Sequence, residues 1–121
     1  MRKILLTRSP VSMGDDSRDN SLEIEVDEDW KLTEIINKVL EINYLPKISG
    51  GKATWSIAYD NFLGIIAQQW SKPKFYGSPV PQFPYSKSNK YKDFNKLHFN
   101  YHVQEDPDLV YDILVRFKTA L

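Results

Sequence analysis

The stretch SGGKATW at residues 49–55 combines a Gly-Lys pair with a nearby threonine, residue types that cradle nucleotide phosphates. A phosphate-binding P-loop needs a glycine five residues before Gly51 and a serine or threonine directly after Lys52. Pro46 and Ala53 occupy those positions. The predicted context is also inverted, because this stretch leaves a helix and opens a strand. We therefore interpret it as a turn whose glycines permit unusual backbone angles.

The two histidines, His98 and His102, are four residues apart. On a helix this spacing places two imidazoles on one face, as in zinc proteases. The surrounding LHFNYHV alternates apolar and polar residues, however, which predicts a strand. Four residues along a strand span about 13 Å, too far for both rings to ligate one metal ion. We expect two partly exposed histidines on the polar face of a strand.

The stretch MGDDSRDN at residues 13–20 holds three aspartates, and dense carboxylates are ligands for Ca²⁺ and Mg²⁺. An EF-hand loop beginning at Asp15 would need a glycine and a glutamate where the chain has Asn20 and Val26. We interpret the stretch as a solvated turn. No serine, lysine or histidine lies in a nucleophile motif either. The sequence therefore predicts no metal ion, no cofactor and no catalytic residue.

Composition predicts a single globular domain over residues 1–121, with 41% hydrophobic residues and no net charge. The chain has no cysteine, which excludes disulfides and thiolate chemistry and fits a reducing compartment. The N-terminal MRKILLTRSP has three consecutive apolar residues, whereas a signal peptide needs about 7–15. No apolar run approaches the roughly 18 residues of a membrane span. We expect a cytoplasmic protein without membrane association.

The strongest functional signal is a segregation of charge. Residues 15–34 carry nine acids against two bases, and residues 72–96 carry six lysines against Asp93 alone. Aromatic residues are interleaved with those lysines, and four prolines predict a long loop over residues 71–96. The residues that we expect to contact a partner are Lys72, Lys74, Phe75, Tyr76, Lys87, Lys90, Tyr91 and Lys92.

This loop has three interpretations. Aromatic residues dominate protein binding sites, which favours a protein partner. Lysines with aromatic rings also suit single-stranded nucleic acid, although the absence of arginine from the loop disfavours it. The third interpretation is a structural cover with its rings turned inward. We expect a small, non-catalytic protein-binding module. In one version it is an inhibitor or immunity-type protein whose acidic 15–34 segment binds a basic target.

Hydrophobic periodicity orders the elements as β-β-α-β-β-loop-β-α. The predicted strands cover residues 3–7, 21–27, 53–60, 62–70 and 97–103. The first helix covers residues 31–42, is capped by Asp29 or Thr33, and has the apolar stripe Leu32, Ile35, Ile36, Val39 and Leu40. The second covers residues 106–121, begins at Asp106-Pro107-Asp108, and has the stripe Leu109, Val110, Ile113, Leu114 and Phe117.

These elements predict an α+β fold: a mixed sheet of about five strands with one helix packed across it, plus a C-terminal helix. The order over about residues 2–104 resembles the ubiquitin-like β-grasp, which implies that the first hairpin cradles the helix and the late strand inserts beside the first. Conjugated modifiers of that class end in a diglycine tail, whereas this chain ends in a predicted helix. The combination of MGDD, SGGKATW and AQQW also resembles a family of small bacterial proteins without assigned function.

Overall fold

In the part of the chain described by the computed structural model, six strands and two helices form. The described residues are 1–11, 19–59, 61–76 and 95–120, apart from the side chains of residues 61 and 117–120. The strands are β1 (Arg2–Arg8), β2 (Leu22–Val26), β3 (Thr54–Tyr59), β4 (Asn61–Ala67), β5 (Lys74–Phe75) and β6 (Lys96–Tyr101), and the helices are α1 (Leu32–Glu41) and α2 (Pro107–Ala120).

The strands form one mixed sheet in the order β2-β1-β6-β3-β4-β5. Two antiparallel hairpins, β1–β2 and β3–β4, are joined by β6, which runs parallel to β1 and antiparallel to β3. The expected α+β class with a mixed sheet and two helices is confirmed. The late strand lies beside the first, while the β-grasp resemblance itself stays a prediction.

One face of the sheet packs against α1 and forms the main core. Alternate residues of the central strands, such as Ile4, Trp55 and Phe99, are almost fully buried there. The predicted stripe of α1 is confirmed for its first four members, Leu32, Ile35, Ile36 and Val39, which are all inaccessible to solvent. It is wrong for Leu40, which lies in the last turn of the helix and is 37% exposed.

The second helix, α2, packs on the opposite face of the sheet, over β4. Ile65 is buried on that face, since its neighbour Ile66 belongs to the core under α1. Among the described side chains of the predicted stripe of α2, Val110 is nearly buried, whereas Leu109 and Ile113 are 50% and 39% exposed, against expectation. The sheet therefore covers part of the stripe. Phe117 has its side chain outside the described residues.

The two helices begin differently. At α2 the predicted cap is confirmed, because the Asp106 carboxylate accepts a hydrogen bond of 3.0 Å from the backbone N–H of Asp108. At α1 the prediction is wrong: Lys31 occupies the capping position without a side-chain hydrogen bond. The start of α1 therefore depends on packing of its apolar stripe rather than on a cap.

The short strand β5 lies inside the segment that the sequence predicted as a loop. It pairs with β4 through Gly64 opposite Phe75 and Ile65 opposite Lys74. The pairing requires glycine, since a Cβ atom at Gly64 would lie 2.6 Å from the carbonyl oxygen of Lys74. Neither of the helices in the described residues is long and apolar enough to cross a bilayer.

Candidate binding cleft

A cleft of about 490 Å³ opens between the C-terminal end of α1 and the connection from β4 to β5. This volume lies within the range of about 300–1,000 Å³ that is typical of ligand pockets. The cleft is lined by Leu40, Asn43, Leu45, Pro46, Lys47, Trp55, Ile66, Ala67, Gln68, Trp70, Ser71, Lys72 and Pro73.

The cleft has an apolar interior formed by residues distant in sequence. Trp55 and Ile66 are register partners on the core face of β3 and β4, and both are buried. The residues after α1, including Pro46, form one wall, and the half-buried Trp70 and Pro73 belong to the other. Tryptophan and proline rings therefore line the walls of the cleft.

The wall next to α1 begins at the C-terminal end of that helix, where backbone carbonyls accept hydrogen bonds from the following residues. The backbone N–H groups of Ile42 and Asn43 donate to the carbonyls of Lys38 and Leu40 at 3.0 and 3.1 Å. Asn43 adopts a left-handed conformation, with φ of 57°, which reverses the chain at the end of the helix.

Tyr44 fixes the start of this wall. Its hydroxyl donates a hydrogen bond to the carbonyl of Asn20, and its ring lies edge-on to Phe99 with the centroids 6.0 Å apart. Burial raises the pKa of Tyr44 to about 12, so the phenol stays protonated and remains a donor at neutral pH. The segment after α1 is thus tied to both the core and the residues before β2.

Gln68 connects the two walls. Its side-chain oxygen accepts hydrogen bonds from the backbone N–H groups of Ile48 at 3.2 Å and Ala53 at 3.0 Å. The turn between these residues contains Gly50 and Gly51, with φ of 98° and 66°, which confirms the glycine-dependent turn expected from SGGKATW. The turn is therefore fixed to the end of β4, where the second wall begins.

The charged side chains among the described residues of the cleft are all positive. Lys47 from the first wall and Lys72 from the second are exposed, and the described residues of the lining include no aspartate or glutamate. Asn43, Gln68 and Ser71 supply the neutral polar groups. An apolar interior with two cations at its rim suits a ligand that has an apolar body and an anionic group.

The structure places the predicted partner-contacting residues at different sites. Lys72 lines the cleft, whereas Lys74 lies over the ring of Tyr111 with its ammonium 4.0 Å from the centroid and 3.9 Å from Asp108. Phe75 packs against the core, and Tyr76 contacts the ring of Phe62 at 6.0 Å. Lys87, Lys90, Tyr91 and Lys92 lie outside the described residues.

The two histidines lie half-buried on the sheet face opposite α1, each bonded to a hydroxyl. Thr7 Oγ1 and His98 Nδ1 are 2.7 Å apart, as are Ser56 Oγ and His102 Nε2. Burial lowers the pKa of His102, while the nearby carboxylate of Glu105 opposes that shift. A serine bonded to a histidine resembles a nucleophile with its base, but Ser56 is 3% exposed and its hydroxyl is closed to a substrate. The pair anchors the connection to α2.

The acidic segment occupies the other edge of the sheet. Glu23 and Glu25 are exposed on β2, and Glu23 forms a surface ion pair of 3.8 Å with Lys3. Such an exposed pair contributes little to stability. The described residues hold no group of three potential metal-ligating side chains there or elsewhere. Asp15 and Asp16 lie outside the described residues.

Sequence reasoning found Lys72 but missed the residues that surround it. Trp70, two positions before the first lysine of the predicted loop, was the available signal, since a tryptophan next to a strand end is costly to leave in water. Lys47 and Gln68 carry no such signal in the sequence. Neither protein-family models, nor curated proteins, nor solved structures provide a match to this chain.

Proposed function

We propose that this protein is a small, non-catalytic binding module that recognises a protein partner through the cleft and the adjoining segment that leads into β5. The observation that carries the proposal is the combination of an apolar interior, the half-buried Trp70 and two exposed lysines, with no carboxylate among the described residues that line the cleft. Buried aromatic anchors with a polar rim are the usual anatomy of a protein interface. We place the interaction in the cytoplasm, since a chain without cysteine fits a reducing compartment.

The arrangement of the cleft supports recognition rather than chemistry. Its described lining residues include no histidine, aspartate or glutamate, and its two lysines, Lys47 and Lys72, are exposed rather than enclosed in an apolar site as a catalytic lysine base is. The hydroxyl and imidazole pairs of the molecule lie on the opposite face of the sheet. Gln68 holds the walls together before any ligand arrives, which lowers the entropy lost on binding.

Single-stranded nucleic acid is the rival ligand, because lysines pair with phosphates and Trp70 can stack on a base. The two ligands differ in their dependence on salt. Nucleic-acid affinity falls steeply with salt concentration, by a logarithmic slope of about −0.7 for each phosphate contact on a single strand. A protein interface with an apolar centre depends on salt mainly through its association rate.

The proposal is tested by comparing capture of partners by the wild type, Lys72→Glu and Lys52→Glu. Lys52 is an equally exposed lysine outside the cleft, so its reversal matches the change in net charge. We expect a protein retained by the wild type and by Lys52→Glu and lost with Lys72→Glu. Calorimetry with that purified protein should reproduce the order of the three affinities.

Two results would contradict this function. Equal retention of every protein by both variants would exclude the cleft from recognition. A salt-dependent affinity for oligo(dT), abolished by Lys72→Glu and retained by Lys52→Glu, would assign the cleft to nucleic acid instead.

A further inference from the structure

Resting on the proposed protein-binding function, we infer that the cleft receives an acidic–aromatic anchor: an aromatic side chain next to glutamate or aspartate in an extended partner segment. The partner's ring would enter the apolar interior, and its carboxylate would meet the lysines at the rim. The inference names the chemistry of the partner, which the proposed function leaves open.

The preference for a carboxylate follows from the charges that face the opening. Lys47 and Lys72 lie on opposite walls, and the described residues of the lining include no acid to neutralise either of them. The C-terminal end of α1 carries a partial negative charge of about half a unit, which the two lysine charges outweigh. A bound lysine or arginine would therefore meet a net positive charge at the opening.

The preference for a ring follows from the shape and chemistry of the walls. Trp70 is half-buried beside Pro73, and Pro46 lies on the other wall. Aromatic rings pack well on tryptophan and contribute more than their buried area alone, which makes them the usual anchors of interfaces. A volume of about 490 Å³ accommodates one such side chain with its immediate neighbours.

The anchor is assigned to an extended segment of another protein because, among the described residues, the chain's own acidic–aromatic pairs are already engaged. Tyr59 packs against the core and Tyr111 contacts the ring of Phe62. Residues 27–30 read DEDW, yet Trp30 packs against the core of its own chain. A second copy of the protein could present these residues only by releasing Trp30 from that packing. A heterologous partner carries no such cost.

The test uses two fluorescein-labelled peptides, one with Glu-Phe-Glu at its centre and one with Gln-Phe-Gln, titrated by fluorescence anisotropy. We expect the glutamate peptide to bind about tenfold more tightly, since ion-paired hydrogen bonds exceed neutral ones. The double variant Lys47→Ala/Lys72→Ala should bind both peptides equally and weakly. Lys52→Ala, with an exposed lysine outside the cleft, should retain the full preference. Trp70→Ala should lose both peptides, and circular dichroism would verify that it folds.

The results separate the inference from the proposed function. Equal affinity of the wild type for the two peptides, or no affinity for either, would overturn the acidic–aromatic anchor. The protein-binding function would stand in that case if Lys72→Glu still lost the captured protein. Concentration-dependent dimers in sedimentation velocity that Lys47→Ala/Lys72→Ala abolishes would replace the heterologous partner with a second copy. A carboxylate preference retained by the double lysine variant would also refute the inference.

Discussion

The two faces of the sheet are stabilised by different interactions. Under α1 the face is mainly apolar, with Ile4, Ile57 and Phe99 inaccessible to solvent. On the opposite face hydroxyls and imidazoles lie in the strands, and Ser56 is buried there with His102 as its partner. The face under α1 is stabilised mainly by apolar surface removed from water. The opposite face depends also on hydrogen bonds between its buried polar groups.

This difference indicates which face sets stability and which tolerates change. Apolar burial accumulates with area and does not depend on direction, so the buried stripe of α1 stabilises the fold along its length. A hydrogen-bonded anchor contributes about 1 kcal/mol and fixes one position. The connection into α2 has two such anchors, since Thr54 Oγ1 also donates to the carbonyl of Glu105 at 2.8 Å. We therefore expect the helices to respond unequally to mutation.

The largest expected effect is that of Phe99→Ala under α1. Phe99 is fully buried and contacts the ring of Tyr44, so its loss should lower the free energy of unfolding by about 3–5 kcal/mol. Urea denaturation followed by circular dichroism measures this change. A midpoint within error of the wild type would mean that the apolar face does not carry the stability of the fold.

A smaller loss is expected for Val110→Ala, the matched change on the opposite face. Val110 is nearly buried between α2 and the sheet, and removing two methyl groups should cost about 1–2 kcal/mol. The same urea titration gives the comparison with Phe99→Ala. A cost equal to that of Phe99→Ala would show that both faces contribute alike.

Leu40→Ala should have a still smaller effect on stability, below about 1 kcal/mol, because this leucine is 37% exposed. A fully buried leucine would cost about 2–5 kcal/mol. Since Leu40 lines the cleft, the substitution should instead weaken binding of the glutamate peptide. Loss of several kcal/mol in thermal or urea unfolding would place Leu40 in the core.

The smallest expected effect is a dependence of stability on pH at His102. Burial lowers the pKa of its imidazole below 6.5, so the unfolded chain binds the proton more readily than the folded one. The stability contributed by the neutral imidazole is therefore fully present above about pH 6.5, and it is lost as the pH falls toward the lowered pKa. His102→Gln can keep a hydrogen bond to Ser56 without titrating. This substitution should reduce the change in the urea midpoint between pH 7 and pH 5. An unchanged dependence of the midpoint on pH would assign that dependence to other titratable groups.

The sequence predicted most of the sheet because period-2 alternation records which residues face the core. Ile57 and Phe99 follow that pattern and are buried as expected. The pattern cannot tell whether an apolar stripe is covered along its whole length. Ile113 belongs to the same predicted stripe as Val110, yet it is 39% exposed.

The cleft escaped prediction for a different reason. Its walls come from residues on either side of Trp55, and Lys47 and Lys72 are brought to one opening by the pairing of β3 with β4. Local propensity carries no information about such a meeting of distant segments. The charge of the predicted loop pointed to Lys72, while the apolar interior appears only once α1 is placed on the sheet.

The central position of β6 determines how this protein can be assembled as it is synthesised. Leu5 pairs with Lys96 and Thr7 with His98, contacts that join the first strand to one made about ninety residues later. Until β6 leaves the ribosome, the β1–β2 and β3–β4 hairpins each have one unpaired edge strand, because both β1 and β3 pair with β6. Contacts of such long sequence separation slow folding. Exposed edges are also sites of mispairing between chains, so both hairpins are vulnerable to mispairing until β6 has been made.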